Sequence, residues 1–170
     1  AMKSLGRRLK QFAWIGASSL GLTGGRAPSG PLHAQVGVCD PCNHRCVMCW
    51  DHPPVDHESE STTNRFGHTQ PGMMSLEPLR PVADDLHQLG TPRIDLVGRG
   101  EPMLNKAVED MVAYGKQLGF LVTLCTNASK LAPARARRLV ADGLDRVNVS
   151  LNAGTPETYP ISGEMSDVVA

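Results

Sequence analysis

The sequence predicts an α/β chain of parallel βα units arranged as an open or partial barrel, and three observations carry that prediction. Four short apolar stretches, near residues 36–39, 93–98, 120–127 and 146–152, have the length and composition of strands. Helical patterns of roughly 10 to 15 residues separate the later ones, and strands joined through helices run parallel by right-handed crossovers. In the fourth stretch Val147, Val149 and Leu151 alternate with Asn148, Ser150 and Asn152. Period-2 geometry puts those three polar residues on one face. A doubly wound sheet is covered by helices on both sides and needs two apolar faces, whereas a polar inner face suits a barrel lumen that holds a ligand.

Composition narrows the class of function. A length of 170 residues suits one core, and 41% hydrophobic with 20% charged residues is ordinary globular usage. The 17 basic residues balance 17 acidic ones, so no overall charge points to nucleic acid or an anionic membrane. No run reaches the roughly 18 apolar residues of a membrane-spanning helix. Of five cysteines, four lie between Cys39 and Cys49. A disulfide framework spreads its cysteines along the chain; clustered thiols fit a metal site in a reducing, cytoplasmic compartment.

Along the chain, residues 1–33 are expected to form an N-terminal helix and linker, and residues 34–170 a core domain that is incomplete at its C-terminus. Leu5, Leu9, Phe12 and Ile15 follow helical spacing, with Arg7, Arg8 and Lys10 on other faces. Arg7-Arg8 before an apolar stretch also fits a twin-arginine export signal. Gly16, Ser18 and Ser19 dilute that stretch, which favours the plain helix. Residues 21–30 read as a linker. After the first strand comes the cysteine loop, then a polar loop over residues 51–72, rich in Pro and His, whose length makes it a lid candidate. Leu79, Val82, Leu86 and Leu89 mark one face of the next helix, with Pro78 and Pro81 near its start and Gly90 after its end. Asn105 is placed to cap a helix that buries Val108, Met111, Val112 and Leu118. A further helix over residues 133–142 bears Leu139 and Val140, and Thr155-Pro156 reads as the cap of another.

The chemistry centres on Cys42-Asn-His-Arg-Cys46-Val-Met-Cys49, directly after the first strand. Thiolates are the preferred ligands of iron–sulfur clusters, and close spacing lets one loop wrap a single cluster. A four-iron, four-sulfur cluster held by three thiolates leaves one iron open to a small molecule. The competing reading is a zinc site of three cysteines with His44 or His52, although zinc modules usually pair two knuckles and no second cysteine pair follows. Cys39 and Cys125 read as buried small hydrophobes.

This array after strand one resembles the signature of the radical S-adenosylmethionine (SAM) enzymes. Gly98-Arg-Gly100-Glu101-Pro102, ending the second strand, is similar to the family's glycine-glycine-glutamate motif, with Arg99 where many members have glycine. The resemblance gives Gly100 and Glu101 contact with the amino group of SAM. Glycine permits close backbone approach, and a carboxylate accepts charge-assisted hydrogen bonds from an ammonium. Thr126-Asn127 resembles the Thr-Asn-Gly element, with Ala128 in place of the glycine. The resemblance further implies that Asn127, Ser150 and Asn152 hold SAM's polar groups and that Met48, or Trp50, lies near the adenine. The motifs fall at strand ends, the edge where βα-barrels keep their active sites.

The implied fold is part of the family's six-unit (β/α) barrel, with four strands countable here. The implied cofactors are a four-iron, four-sulfur cluster at Cys42, Cys46 and Cys49, and SAM. The implied activity is reductive cleavage of SAM to a 5′-deoxyadenosyl radical that abstracts hydrogen from a small-molecule or peptide substrate. The resemblance is closest to the molybdenum-cofactor, pyrroloquinoline-quinone and peptide-maturation group. A reducing donor such as flavodoxin or ferredoxin is the expected partner, with neither nucleic acid nor membrane. The alternative is a non-catalytic zinc-binding or nucleic-acid-binding module, against which the neutral charge and few aromatics speak.

Overall fold

The computed structural model describes residues 30–46, 48, 49, 51, 72–152, 154 and 155, with scattered residues between 9 and 24. The expected loop over residues 51–72, the histidines within it, Trp50 and the helix after Thr155 lie almost wholly outside the described residues. Of the N-terminal segment, Leu9, Phe12 and Ile15 are helical and exposed.

The elements are β1 (Ala34–Cys39), α1 (Leu76–Gln88), β2 (Arg93–Gly98), a 3₁₀ turn (Pro102–Leu104), α2 (Val108–Gln117), β3 (Leu121–Thr126), α3 (Pro133–Ala141) and β4 (Arg146–Val149). The four strands form one sheet in chain order, and each neighbouring pair is parallel. This is the expected run of βα units.

Register sorts the side chains. Ile94 lies beside Val122, and both face α2, where a Cβ on Gly115 would sit only 3.0 and 3.1 Å from their side chains. With Leu96, Leu124, Met111, Val112 and Phe120 they make a core that is essentially sealed from solvent. The opposite face is polar on more strands than β4. Asp95 pairs in register with Thr123, and Cys125 with Asn148. The buried Asp95 carboxylate meets His33 Nε2 at 2.7 Å and Arg93 Nε at 2.9 Å. Burial works to raise its pKa, but hydrogen bonds from Arg93, Thr123 and His33 outweigh that and hold it below the usual carboxylate range.

Several helix details differ from expectation. The stripe of α1 that meets the core is Leu79 and Ala83, flanked by half-buried Leu76 and Leu86, while Val82 and Leu89 are exposed. Pro81 lies inside α1 rather than at its start. In α3 Leu139 is buried but Val140 is 77% exposed. Ala107, not Asn105, is the N-cap of α2. Asn105 does accept from Ala107 N at 2.9 Å, and its amide donates to the carbonyls of Val38 and Met74, each at 2.8 Å. It stitches β1, the start of α1 and the start of α2 together.

Candidate functional site

The site forms where the C-terminal ends of the strands meet the cysteine loop. One cavity of about 310 Å³ is lined by Cys42, His44, Cys46, Met48 and Cys49 from the loop. Gly98 to Pro102 enter it from the end of β2, Cys125 to Asn127 from β3, and Ser150 and Asn152 from beyond β4. The sequence-predicted cluster and SAM residues are therefore brought together at one edge, at the ends of four different elements.

The loop is attached at its root through backbone. Gly100 N donates to Cys39 O at 3.1 Å and Glu101 N to Pro41 O at 2.9 Å, carrying the β1–β2 pairing past the strands. A Cβ on Gly100 would lie 1.8 Å from Pro41 O and 2.3 Å from Asp40 O. Glycine is required here because the backbone of the cysteine loop, not only a ligand, occupies the space of a side chain. On the loop's other side Asp40 N donates to Gly72 O, and Met74 N to Val38 O.

Within the loop, Cys49 N donates to Cys46 O at 2.9 Å, making a tight turn, and His44 N points at Cys42 Sγ at 3.4 Å. Burial pushes the Cys42 thiol up; the His44 backbone N–H offsets this in part, and the charges of Glu101, Cys46 and Cys49 add to the rise. Burial does the same for Cys46, helped by Cys49. A bound cation reverses that logic, because a coordinating thiol loses its proton outright. Among the described residues, no three His, Cys, Asp or Glu side chains converge closely enough for one metal ion. A multi-iron cluster makes no such demand, since each thiolate takes a separate iron.

The carboxylate of Glu101 is 1% exposed and faces inward. Its Oε1 accepts from Met103 N at 2.8 Å and Thr126 Oγ1 at 2.5 Å, and its Oε2 accepts from Asn127 N at 2.6 Å. It thus clamps the end of β2 to the end of β3. Arg99 reaches Asp51, just past the last loop cysteine, at 3.4 Å. Met48 is 56% exposed on the cavity rim. Ser150 N donates to Thr126 O at 2.8 Å, which holds the chain beyond β4 against β3.

Of the two remaining cysteines, Cys39 is buried as expected, and burial, with Glu101, Asp40 and Cys42 nearby, takes its thiol to about 11. Cys125 departs from expectation: it is half-buried, lines the cavity and receives Asn148 Nδ2 at 3.6 Å. The alternation seen in β4 was the available signal, because the register puts Cys125 beside Asn148 on the polar face.

Residues 38–167 match the Radical SAM superfamily. The chain belongs to that superfamily. Among curated radical SAM relatives, a GTP 3′,8-cyclase of Peptoclostridium acidaminophilum is 34% identical over 129 residues, covering 75% of this chain and 36% of the relative. An AdoMet-dependent heme synthase of Methanosarcina barkeri is 29% identical over 118 residues, covering 69% of this chain and 30% of the relative. The chain therefore spans about a third of the length of these relatives. Among solved structures, BtrN in complex with AdoMet and 2-DOIA superposes with a TM-score of 0.56 at 23% identity, over 72% of this chain and 46% of that one. Streptococcus suis SuiB bound to precursor peptide SuiA gives 0.61 at 15% identity, over 79% and 27%. Both likenesses bear on the fold, and the fold they share is the radical SAM partial barrel.

Proposed function

We propose that this chain carries the cluster-binding and SAM-binding part of a radical SAM enzyme. The observation that carries the reading is that Cys42, Cys46 and Cys49 line one cavity together with the Gly98–Pro102 turn, Asn127, Ser150 and Asn152. The donor set fits a four-iron, four-sulfur cluster: three soft thiols on one short loop, leaving one iron without a thiolate from that loop. A reduced cluster held there would supply one electron to the sulfonium of bound SAM, the chemistry that splits SAM into methionine and a 5′-deoxyadenosyl radical able to take hydrogen from a substrate. The protein's share is to bind, orient and exclude water.

In this reading Cys42, Cys46 and Cys49 take three irons. The backbone of Gly100 and Glu101 borders the place for SAM's amino group, while the buried Glu101 carboxylate is taken up by Met103 N, Thr126 Oγ1 and Asn127 N and ties this turn to the end of β3. Ser150 and Asn152 offer hydrogen bonds to the ribose or carboxylate, Asn127 stands between these sets, and Met48 offers a soft surface to the adenine. The substrate is a small molecule or a peptide, the classes represented by the GTP cyclase and by SuiB with its precursor peptide. The electron comes from a reduced carrier such as flavodoxin or ferredoxin. None of the five cysteines is in a disulfide, in keeping with a reducing, cytoplasmic setting.

Anaerobic iron–sulfur reconstitution, followed by electron paramagnetic resonance of the reduced protein with and without SAM, tests this directly. A cluster signal that shifts on adding SAM is expected. The variant with all three cysteines replaced by alanine should lose both cluster absorbance and SAM cleavage. A parent chain that takes up one zinc and no iron, or cleavage retained in the triple variant, would sink the reading.

A further inference from the structure

The first limb of the cysteine loop is held by a closed ring of three polar side chains. Asn43, between the first two loop cysteines, donates through Nδ2 to Ser129 Oγ at 2.7 Å. Ser129 Oγ donates to Asn127 Oδ1 at 2.7 Å, and Asn127 Nδ2 donates back to Asn43 Oδ1 at 3.1 Å. Within the ring each member gives one hydrogen bond and accepts one, which matches the donor and acceptor inventory of two amides and a hydroxyl. Bonds arranged head to tail in this way polarise one another.

The ring joins residues distant in sequence: Asn43 and Ser129 are 86 positions apart. Its base is fixed, because Asn127 N donates to the buried Glu101 carboxylate and Ser129 N donates to Asn127 Oδ1 at 3.0 Å. Between them Ala128 adopts φ +64°, the left-handed turn that brings Ser129 back over Asn127. The ring is thus built on the β3 end and reaches out to the loop, not the reverse.

We propose that the Asn43–Ser129–Asn127 ring, anchored on Glu101, positions the Cys42–Cys46 limb for the cluster, which makes Asn43 and Ser129 positioning residues. This rests on the reading that the three cysteines hold a cluster. The two bonds of Asn43 are exposed, while Asn127 and Ser129 are half-buried, so the link to the loop adds little to global stability, but it acts where the loop must stay closed around iron. Its loss should speed cluster loss and leave the fold alone.

The test uses the full chain, anaerobically reconstituted, and follows decay of cluster absorbance after adding an iron chelator. Asn43→Ala and Ser129→Ala should each lose the cluster roughly fivefold to tenfold faster, the scale of one or two exposed hydrogen bonds. The double variant should be no worse than either single one, because removing any member opens the ring. Ser129→Thr, which keeps the hydroxyl, should restore most of the parent's retention, and thermal unfolding of the apo chain should be unchanged in all. Parent-like retention in Asn43→Ala, or single effects that multiply in the double variant, would overturn the inference while leaving the cluster assignment standing. A parent chain that takes up no iron would overturn the assignment and the inference together.

Discussion

Replacing Gly100 with alanine probes the root of the cysteine loop. The added Cβ would lie 1.8 Å from Pro41 O, 2.2 Å from Pro41 C and 2.3 Å from Asp40 O. All three are backbone atoms, so no side chain can swing away. Non-bonded carbon atoms are comfortable at about 3.5–4.0 Å, so the two segments must part by more than about 1 Å. That separation breaks the bonds from Gly100 N to Cys39 O and from Glu101 N to Pro41 O. A net loss of about 1 kcal/mol for each, plus the penalty of groups left unpaired, gives a cost of about 3 kcal/mol. For a chain of this size that lowers the unfolding temperature by roughly 6–12 °C. The assay is thermal unfolding of the apo chain by circular dichroism, paired with iron and sulfide content after reconstitution. Gly37→Ala is the control, since a Cβ there meets nothing within 4 Å. Gly100→Ala that unfolds with the parent and fills with iron would refute the claim that backbone contact at Gly100 seats the loop.

Other outcomes follow from the same structure. Ala128 holds φ +64° without being glycine. Ala128→Gly relieves that strain against the greater freedom of glycine in the unfolded chain, and should stabilise by about 0.5–1 kcal/mol, seen as a midpoint shift in urea. Leu139→Ala should cost about 2–5 kcal/mol, whereas Val140→Ala should stay within about 0.5 kcal/mol, in the same titration; equal effects would mean that α3 packs by the other face. Asp95, Glu109 and Asp145 are each held below the usual carboxylate range: burial opposes this, but hydrogen bonds from Arg93, Arg135 and Lys116 respectively prevail. A carboxyl with a lowered folded-state pKa contributes stability that is fully present above its unfolded value and is lost as pH falls through the folded one. Urea midpoints of the apo chain should therefore hold steady down to about pH 5 and decline below about pH 4; a midpoint flat through that window would contradict the assignment.

Much of the fold was legible because its signals are local. The apolar runs of β2 and β3 are bounded by turn residues, and both strands fall within a residue of expectation. The cysteine spacing marks the loop without help from the rest of the chain. Helix faces are less legible. Periodicity identifies a stripe but not which flank is covered, so it groups Val82 and Leu89 with Leu79 and passes over the small Ala83, which is 1% exposed. The site's supports are not legible at all. Nothing near Gly100 in sequence shows that Pro41 fills the space beside it, and nothing near Asn43 points to Ser129. Those contacts exist only once parallel pairing has brought the ends of β1, β2 and β3 side by side.

The same pairing sets how firmly each part of the cysteine loop is held. At its root the loop is fixed by backbone bonds on two sides, to Gly100 and Glu101 on one and to the Gly72–Met74 segment on the other. The Asn105 amide adds a buried bond to Val38 O. Two residues further on, the loop is held by side-chain bonds of exposed Asn43. Backbone bonds that continue the sheet's pairing open only with the surrounding structure, whereas exposed side-chain bonds open locally and at low cost. The loop is therefore fixed at residues 39–41 and latched, less firmly, at Asn43. The three thiols thus hang from backbone that the strand ends hold in place, and those same strand ends line the cavity beside them.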